Sequence, residues 1–261
     1  MEKLNLNLLY FSATETTAKV IKYIAKGLNK DAIEYNITMP HNRIKNLKFN
    51  EDDLVIIGVP VYAGRVPEFL SNYFISKIHG NNTFAVFIVV YGNRAYDDAL
   101  LELKDIFEGN GFIGVAGGAF IGEHSYTEKL ATGRPDDCDL SIAYKFGVNI
   151  REKLNEINTF SHKLNIKGNY PYRKGMVYEP VMIDTDNKCI NCGICSVNCP
   201  MGAIDKLNNK NIDIYKCIRC CRCIKKCPVN AKDISYDLHK KFLIEFINKY
   251  SSVRQEPELF I

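Results

Sequence analysis

The amino-acid sequence predicts an α/β fold: a doubly wound parallel five-stranded sheet over residues 1–160, followed by a small α+β module and a C-terminal helix. Three observations carry this. Continuous β-branched and aromatic runs alternate with segments of helical spacing, as in open parallel sheets covered on both faces. Nine of the ten cysteines fall between Cys189 and Cys227, so a second unit is held by something other than an apolar core. The 261 residues, 46% of them hydrophobic, suffice for two folded units.

The strands expected are Leu4 to Phe11, a shorter and more polar one at Ile33 to Ile37, Leu54 to Val59, Phe84 to Val90, and Ile113 to Phe120. Between them lie helical patterns. Thr16 to Asn29 is apolar at Val20, Ile21, Ile24, Ala25 and Leu28; the others are Pro67 to Lys77, Asp97 to Glu108 and Asp137 to Ile157. Periodicity then fades into a connecting segment, 161–180, marked by Gly168, Asn169, Pro171, Gly175 and Pro180; Tyr170, Tyr172 and Tyr178 are expected to pack on the first domain. A cysteine-rich module occupies 181–236. The remaining 237–261 contain a helix from Leu238 to Tyr250, apolar at Phe242, Leu243, Phe246 and Ile247, docked within the chain or forming a dimer seam.

Ligands of such sheets bind where the strands end at their carboxyl edge. The loops leaving that edge are Ser12-Ala13-Thr14-Glu15-Thr16-Thr17, Pro60-Val61-Tyr62-Ala63-Gly64-Arg65, Tyr91-Gly92-Asn93-Arg94-Ala95-Tyr96 and Gly122-Glu123-His124-Ser125-Tyr126. The first is rich in hydroxyls and opens into a helix, which suits either a phosphate cradle or simple helix capping. The next two carry tyrosine and glycine, suited to a planar ring. Arg65 and Arg94 are placed to meet an anionic ligand or surface carboxylates; His124 and Tyr126 are proton donors or structural polar groups.

Eight cysteines form two copies of one pattern, Cys189-x2-Cys192-x2-Cys195-x3-Cys199-Pro200 and Cys217-x2-Cys220-x2-Cys223-x3-Cys227-Pro228, the spacing that holds 4Fe-4S cubes. Steps of three bring three thiolates out on one side of consecutive tight turns. A zinc ribbon has no use for the third cysteine or the fourth before proline. Carried over by position from two-cluster proteins, in which the fourth cysteine ligates the other cube, cluster I is held by Cys189, Cys192, Cys195 and Cys227, and cluster II by Cys217, Cys220, Cys223 and Cys199. Cys221 and Cys138 are expected to be packed thiols.

The formal charge of +4 is not a nucleic-acid signal. Eight thiolates on two cubes of core charge about +2 each add roughly −4 and cancel it. Lys225-Lys226 and Lys240-Lys241 read as solvated surface or as a patch for an acidic partner. The opening Met1 to Asn7 alternates apolar and polar residues instead of forming a signal peptide's core, and no membrane span is visible, so a reducing, cytoplasmic location is expected.

The first half resembles flavodoxin through Tyr10-Phe11-Ser12 to Thr17, Pro60 to Arg65 and Gly117-Gly118-Ala119-Phe120; with the two cysteine motifs, the chain is identified as a member of the flavodoxin-ferredoxin fusion family. The resemblance implies a flavodoxin-like sheet, a two-cluster ferredoxin domain and noncovalent FMN. Its phosphate is assigned to Ser12, Thr14, Thr16 and Thr17; its ring to Pro60, Tyr62, Ala63, Gly64, Tyr91, Gly92, Asn93 and Tyr96. One departure stands out: Glu15 and Thr16 occupy positions where such loops carry Gly and Asn, and a carboxylate there repels a phosphate unless it turns outward.

The function implied is electron transfer between two 4Fe-4S clusters and FMN, linking one-electron and two-electron carriers. Redox proteins are the partners expected: a ferredoxin, a reductase or a terminal enzyme, with the chain a monomer or homodimer. The alternatives are an FMN-dependent reductase of a quinone or nitro compound, and a flavin-free docking domain. No G-x-G-x-x-G nicotinamide fingerprint is present. Cys199→Ser should damage cluster II and Cys227→Ser cluster I, read by EPR of the reduced protein; each loss falling on its own motif's cluster would show the ligands to be uncrossed.

Overall fold

The computed structural model describes residues 4–156, 163–175, 183–234 and 237–261. In chain order the first domain comprises β1 (Asn5–Tyr10), α1 (Thr16–Leu28), β2 (Ala32–Asn36), a 3-10 turn (Pro40–Arg43), β3 (Leu47–Phe49), β4 (Asp53–Pro60), α2 (Glu68–Lys77), β5 (Ile78–Gly80), β6 (Thr83–Tyr91), α3 (Ala99–Gly109), β7 (Phe112–Ile121) and α4 (Asp137–Glu156). The second part comprises β8 (Ile183–Thr185), α5 (Ile194–Val197), α6 (Arg222–Lys225), β9 (Lys232–Ile234), α7 (Asp237–Tyr250) and β10 (Glu258–Phe260).

Five parallel strands run in the order β7-β6-β4-β1-β2, with Leu8 opposite Ile56 and Ile56 opposite Val86. Side chains alternate across a strand, and here the two parities feed two cores. Leu9, Val55, Ile57, Phe87 and Val89 face α2 and α3, meeting Leu70, Phe74, Leu103 and Phe107. Leu8, Ile56, Val86 and Ile88 face α1 and α4, meeting Val20, Ile24, Phe146 and Ile150. Each such fully buried side chain contributes about 1.5–3 kcal/mol. α1 and α4 cross at glycine: a Cβ on Gly27 would stand 2.0 Å from the Tyr144 carbonyl oxygen. The chain reverses direction across the sheet between β1 and β4, so their carboxyl ends open side by side.

The five-stranded expectation needs correction, because the C-terminal tail adds a sixth strand. β10 pairs antiparallel with β7, placing Leu259 opposite Gly118. Polar anchors hold it. The Asn93 side-chain amide donates to the carbonyls of Tyr250 (3.0 Å) and Val253 (2.7 Å), and Tyr96 Oη donates to Glu258 Oε2 at 3.0 Å. Arg254 pairs with Asp136 (2.8 Å), and Arg134, itself on buried Asp139, donates to the Gln255 carbonyl. A further short pair, β3 with β5, was also not expected.

The connecting segment lies on α3. Leu164 and Ile166 enter the core, the backbone N–H groups of Asn169 and Arg173 donate to Asp98, and the hydroxyls of Tyr170 and Tyr172 both donate to Asp105. Tyr178, Pro180 and the domain boundaries at 160 and 236 lie outside the described residues. In the cysteine module β8 and β9 form an antiparallel pair, Ile183 opposite Ile234. Among the described residues no helix is long and apolar enough to cross a membrane.

The hydrogen bond from Lys167 holds the Glu258 carboxyl below its ordinary value of 4.5, and Arg254 holds Asp136 low in the same way. A depressed carboxyl stabilises the fold fully above its unfolded pKa and loses that contribution as pH falls through the folded value. Tail docking should therefore weaken on acidification below about pH 4.5. Amide exchange at 258–260, corrected for intrinsic rates, should rise there relative to β1; equal protection at pH 6 and in acid would contradict this.

Candidate cofactor sites

The loops following β1, β4, β6 and β7 converge on a cavity of about 660 Å³. Nine of the twelve residues expected around a flavin line it: Thr14, Thr16, Thr17, Pro60, Tyr62, Ala63, Gly64, Tyr91 and Gly92. Three do not. Ser12 is turned inward, its Oγ accepting the Ala18 N–H at 3.1 Å while its own N–H meets Thr38 Oγ1 at 2.9 Å, so it fastens the start of α1. Asn93 and Tyr96 are spent on the tail, as described above.

Thr14 Oγ1 and Thr16 Oγ1 lie 3.3 Å apart at the start of α1, where helix N–H groups and hydroxyls together suit an anion. Glu15 sits between them in the left-handed region, φ 70°, the conformation for which glycine is the usual residue. Its carboxylate turns outward, 68% exposed, to Lys226 Nζ (3.2 Å) and Arg222 (3.9 Å). The expected repulsion is thereby relieved by cations from the second module.

Arg65 does not face the cavity's ligand space. It forms a two-pronged pair with Glu102 at 2.7 and 2.8 Å and stacks 4.8 Å from the Tyr172 ring. Arg94 lines the cavity and pairs with Asp97. His124 Nδ1 accepts the Tyr126 N–H at 3.2 Å, so the neutral ring carries its proton on Nε2. Its ring packs against Gly92, where an added Cβ would stand 2.4 Å from His124 Cδ2. Burial pushes Tyr91 up to about 12, leaving its hydroxyl neutral at the cavity wall.

The cysteine motifs fold as a backbone repeat of 28 residues. Left-handed residues recur at matched positions: Asn191 and Arg219, Gly193 and Cys221, Gly202 and Asn230. Each left-handed residue at 193 and 221 opens a one-turn helix, α5 or α6, that carries the third cysteine. Each fourth cysteine accepts an N–H four residues on: Cys199 Sγ from Ala203 (3.3 Å), Cys227 Sγ from Ala231 (3.2 Å). Among the described residues no three His, Cys, Asp or Glu side chains converge as ligands of one ion. A second, apolar cavity is instead walled by Cys199, Cys217, Cys220, Cys221 and Cys223.

Burial pushes the thiols of Cys220 and Cys223 up to about 12 and raises Cys217. Left free they stay protonated, so a bound metal is what makes thiolate the stable form there. Arg222 Nε, between these cysteines in sequence, is buried with no hydrogen-bond partner among the described residues, a donor suited to cluster sulfur. Cys221 donates its S–H to the Arg219 carbonyl at 3.6 Å and packs with Ile183 and Ile234. Cys138 is exposed.

The two cavities share a wall. Ile218 and Arg219 line both. Tyr126 lines the first and packs into the module's small core beside Cys217 and Cys223. Arg222 donates to the Ala13 carbonyl at 2.5 Å, Lys225 pairs with Glu123 at 2.6 Å, and Arg43 donates to the Pro200 carbonyl at 2.5 Å. Lys225 and Lys226, read from sequence as open surface or a partner patch, thus bind the chain's own first domain. Sequence reasoning also missed that Phe242, Phe246 and Tyr250 line the first cavity from α7; Phe242 and Phe246 read from sequence as part of a stripe that docks within the chain or forms a dimer seam.

A family model described as a flavodoxin domain matches residues 7–111, and one described as a 4Fe-4S dicluster domain matches 181–228. Together with the sheet order and the two sites, these matches define a flavin and iron-sulfur electron-transfer protein. The chain is a fusion of an N-terminal flavodoxin domain with a C-terminal dicluster ferredoxin domain. Among solved structures it is similar to a flavodoxin from the domain Archaea, 13% identical, covering 59% of this chain and 100% of that one, with a TM-score of 0.42. It is also similar to the Fusobacterium nucleatum flavodoxin bound to flavin mononucleotide (16% identity, 58% and 97% covered, TM-score 0.39). A third is the Flv1 flavodiiron core from Synechocystis sp. PCC6803 (17% identity, 59% and 36% covered, TM-score 0.42). No curated protein matches the chain.

The Gly92 contact supplies a test of the site's packing. Gly92→Ala should push the third and fourth loops apart and lower stability by about 1–3 kcal/mol, read as an earlier urea midpoint; an unchanged midpoint would show the two loops able to separate freely.

Proposed function

We propose that the protein passes electrons between two 4Fe-4S clusters and a bound FMN, with cluster II beside the flavin and cluster I at the outer end. The observation that carries this reading is the shared wall: Ile218 and Arg219 border both the flavodoxin cavity and the cavity lined by Cys199, Cys217, Cys220, Cys221 and Cys223. Four of the five cysteines on that cavity are those expected for the crossed ligand set, Cys199 from the first motif beside Cys217, Cys220 and Cys223 of the second; the fifth is Cys221. Exposure supports the order. Cys220 is buried against the flavodoxin core, whereas its counterpart Cys192 is exposed, as are Ile190, Val197 and Leu207.

When bound, FMN supplies storage for two electrons and the clusters supply one-electron steps. The chain's own residues hold these groups in place. Thr14, Thr16 and Thr17 are the hydroxyls for the phosphate, and Tyr62 and Tyr91 border the ring space. Glu15, turned away, leaves the phosphate position to neutral donors and helix N–H groups. Cys189, Cys192, Cys195 and Cys227 are left to hold cluster I. Redox proteins are the partners, meeting the exposed first motif.

The test uses full-length protein purified and handled without oxygen. A one-electron donor should reduce the clusters first, and flavin bleaching should follow at a rate independent of protein concentration, because the groups share one chain. Bleaching that scales with concentration, or protein carrying clusters but no releasable FMN, would overturn the reading.

A further inference from the structure

We propose that α7 supplies an aromatic wall of the flavin site: Phe242, Phe246 and Tyr250 contact the bound flavin's ring system and shield it from solvent and from small electron acceptors. This rests on the flavin reading above and extends it to a segment beyond both family matches, which end at residues 111 and 228.

Residues four apart share one face of a helix. Phe242, Phe246 and Tyr250 do so, with ring centroids 5.4 and 4.9 Å apart in succession, and all three line the cavity opposite no strand of their own. Phe246 reaches the fourth loop, its ring 5.2 Å from that of His124. Phe242 keeps 52% of its surface exposed. The tail holds α7 in place: Asn93 grips the Tyr250 and Val253 carbonyls, and β10 ties the chain end to β7. These contacts fix α7 at the cavity from its C-terminal side. Asn93, which sequence reasoning places on the ligand, thus acts on the site through the helix it anchors.

The consequence is a division of access. Cluster II approaches the ring through the Ile218 and Arg219 wall, while α7 occupies a side from which a diffusing molecule would otherwise reach it. An aromatic wall favours the flat ring through stacking and edge contacts and disfavours entry by a second, smaller molecule.

The experiment compares full-length wild type with Phe246→Ala and Phe242→Ala, each titrated with FMN by flavin fluorescence after anaerobic flavin removal. Both variants should bind FMN roughly tenfold more weakly, with cluster absorption unchanged. Once flavin-loaded and reduced, both should be oxidised severalfold faster by a soluble benzoquinone. Phe246→Tyr should restore both readouts, and Phe246→Leu, which keeps the bulk and so the fold, should still bind FMN more weakly than wild type. Wild-type affinity and quinone rates in Phe246→Ala, Phe242→Ala and Phe246→Leu would overturn the proposal while leaving the flavin reading intact. Wild type that binds no FMN would overturn that reading and this inference with it.

Discussion

The turn from Cys217 to Cys223 is where the two domains become one device. Cys220 and Ile218 pack against the flavodoxin core, Cys217, Cys221 and Cys223 belong to the module's own small core, and Arg222 reaches the carbonyl of Ala13 in the hydroxyl loop. Small modules of this size have little apolar core, so bound metal supplies much of their folding free energy. The only described elements around these cysteines are short: β8, β9 and the one-turn helices α5 and α6. One wall of the flavodoxin cavity is thus built from the neighbouring iron-sulfur domain. The ion pairs across the junction contribute little each, about 0–1 kcal/mol for exposed pairs. Their effect lies in orientation, since Lys225, Lys226 and Arg222 meet Glu123, Glu15 and Ala13 on two different loops.

Glu15 shows how that junction feeds back on the first domain. A left-handed non-glycine residue costs roughly 1–2 kcal/mol, and a carboxylate near a phosphate position adds repulsion. Both costs are local to an isolated flavodoxin loop. In the fused chain the carboxylate has Lys226 at 3.2 Å, so the same backbone that suits glycine elsewhere becomes a point of attachment. The substitution that looked from sequence like a defect in the phosphate loop is an interdomain contact.

What the sequence disclosed follows the strength of local signals. Buried parallel strands read plainly because each is a long apolar run, and both faces are covered. β2 read weakly because it is an edge: Ile33 is 58% exposed. β10 was invisible, since three residues of mixed polarity carry no period and pair only because β7 offers Gly117, Gly118 and Ala119 at an open edge. Polar residues failed in a more specific way. Ser12, Asn93 and Tyr96 have the chemistry of ligand contacts and the right loops, yet each is consumed by a distant chain segment: Thr38, the tail carbonyls and Glu258. Loop position is encoded locally; the direction of a side chain within it is decided by tertiary partners.

The cysteine repeat carries a related lesson about symmetry. Matched left-handed residues and matched N–H to sulfur bonds give the two motifs one backbone design. Their surroundings nonetheless differ: Gly193 is replaced by buried Cys221, and exposed Cys192 by buried Cys220. Cluster potentials respond to solvent exposure and nearby charge as much as to ligand identity. Docking one half of a repeated module against a flavodoxin domain therefore gives two motifs of one backbone design different surroundings. The inequality arises from packing: Cys220 is buried against the flavodoxin core, and its counterpart Cys192 is exposed.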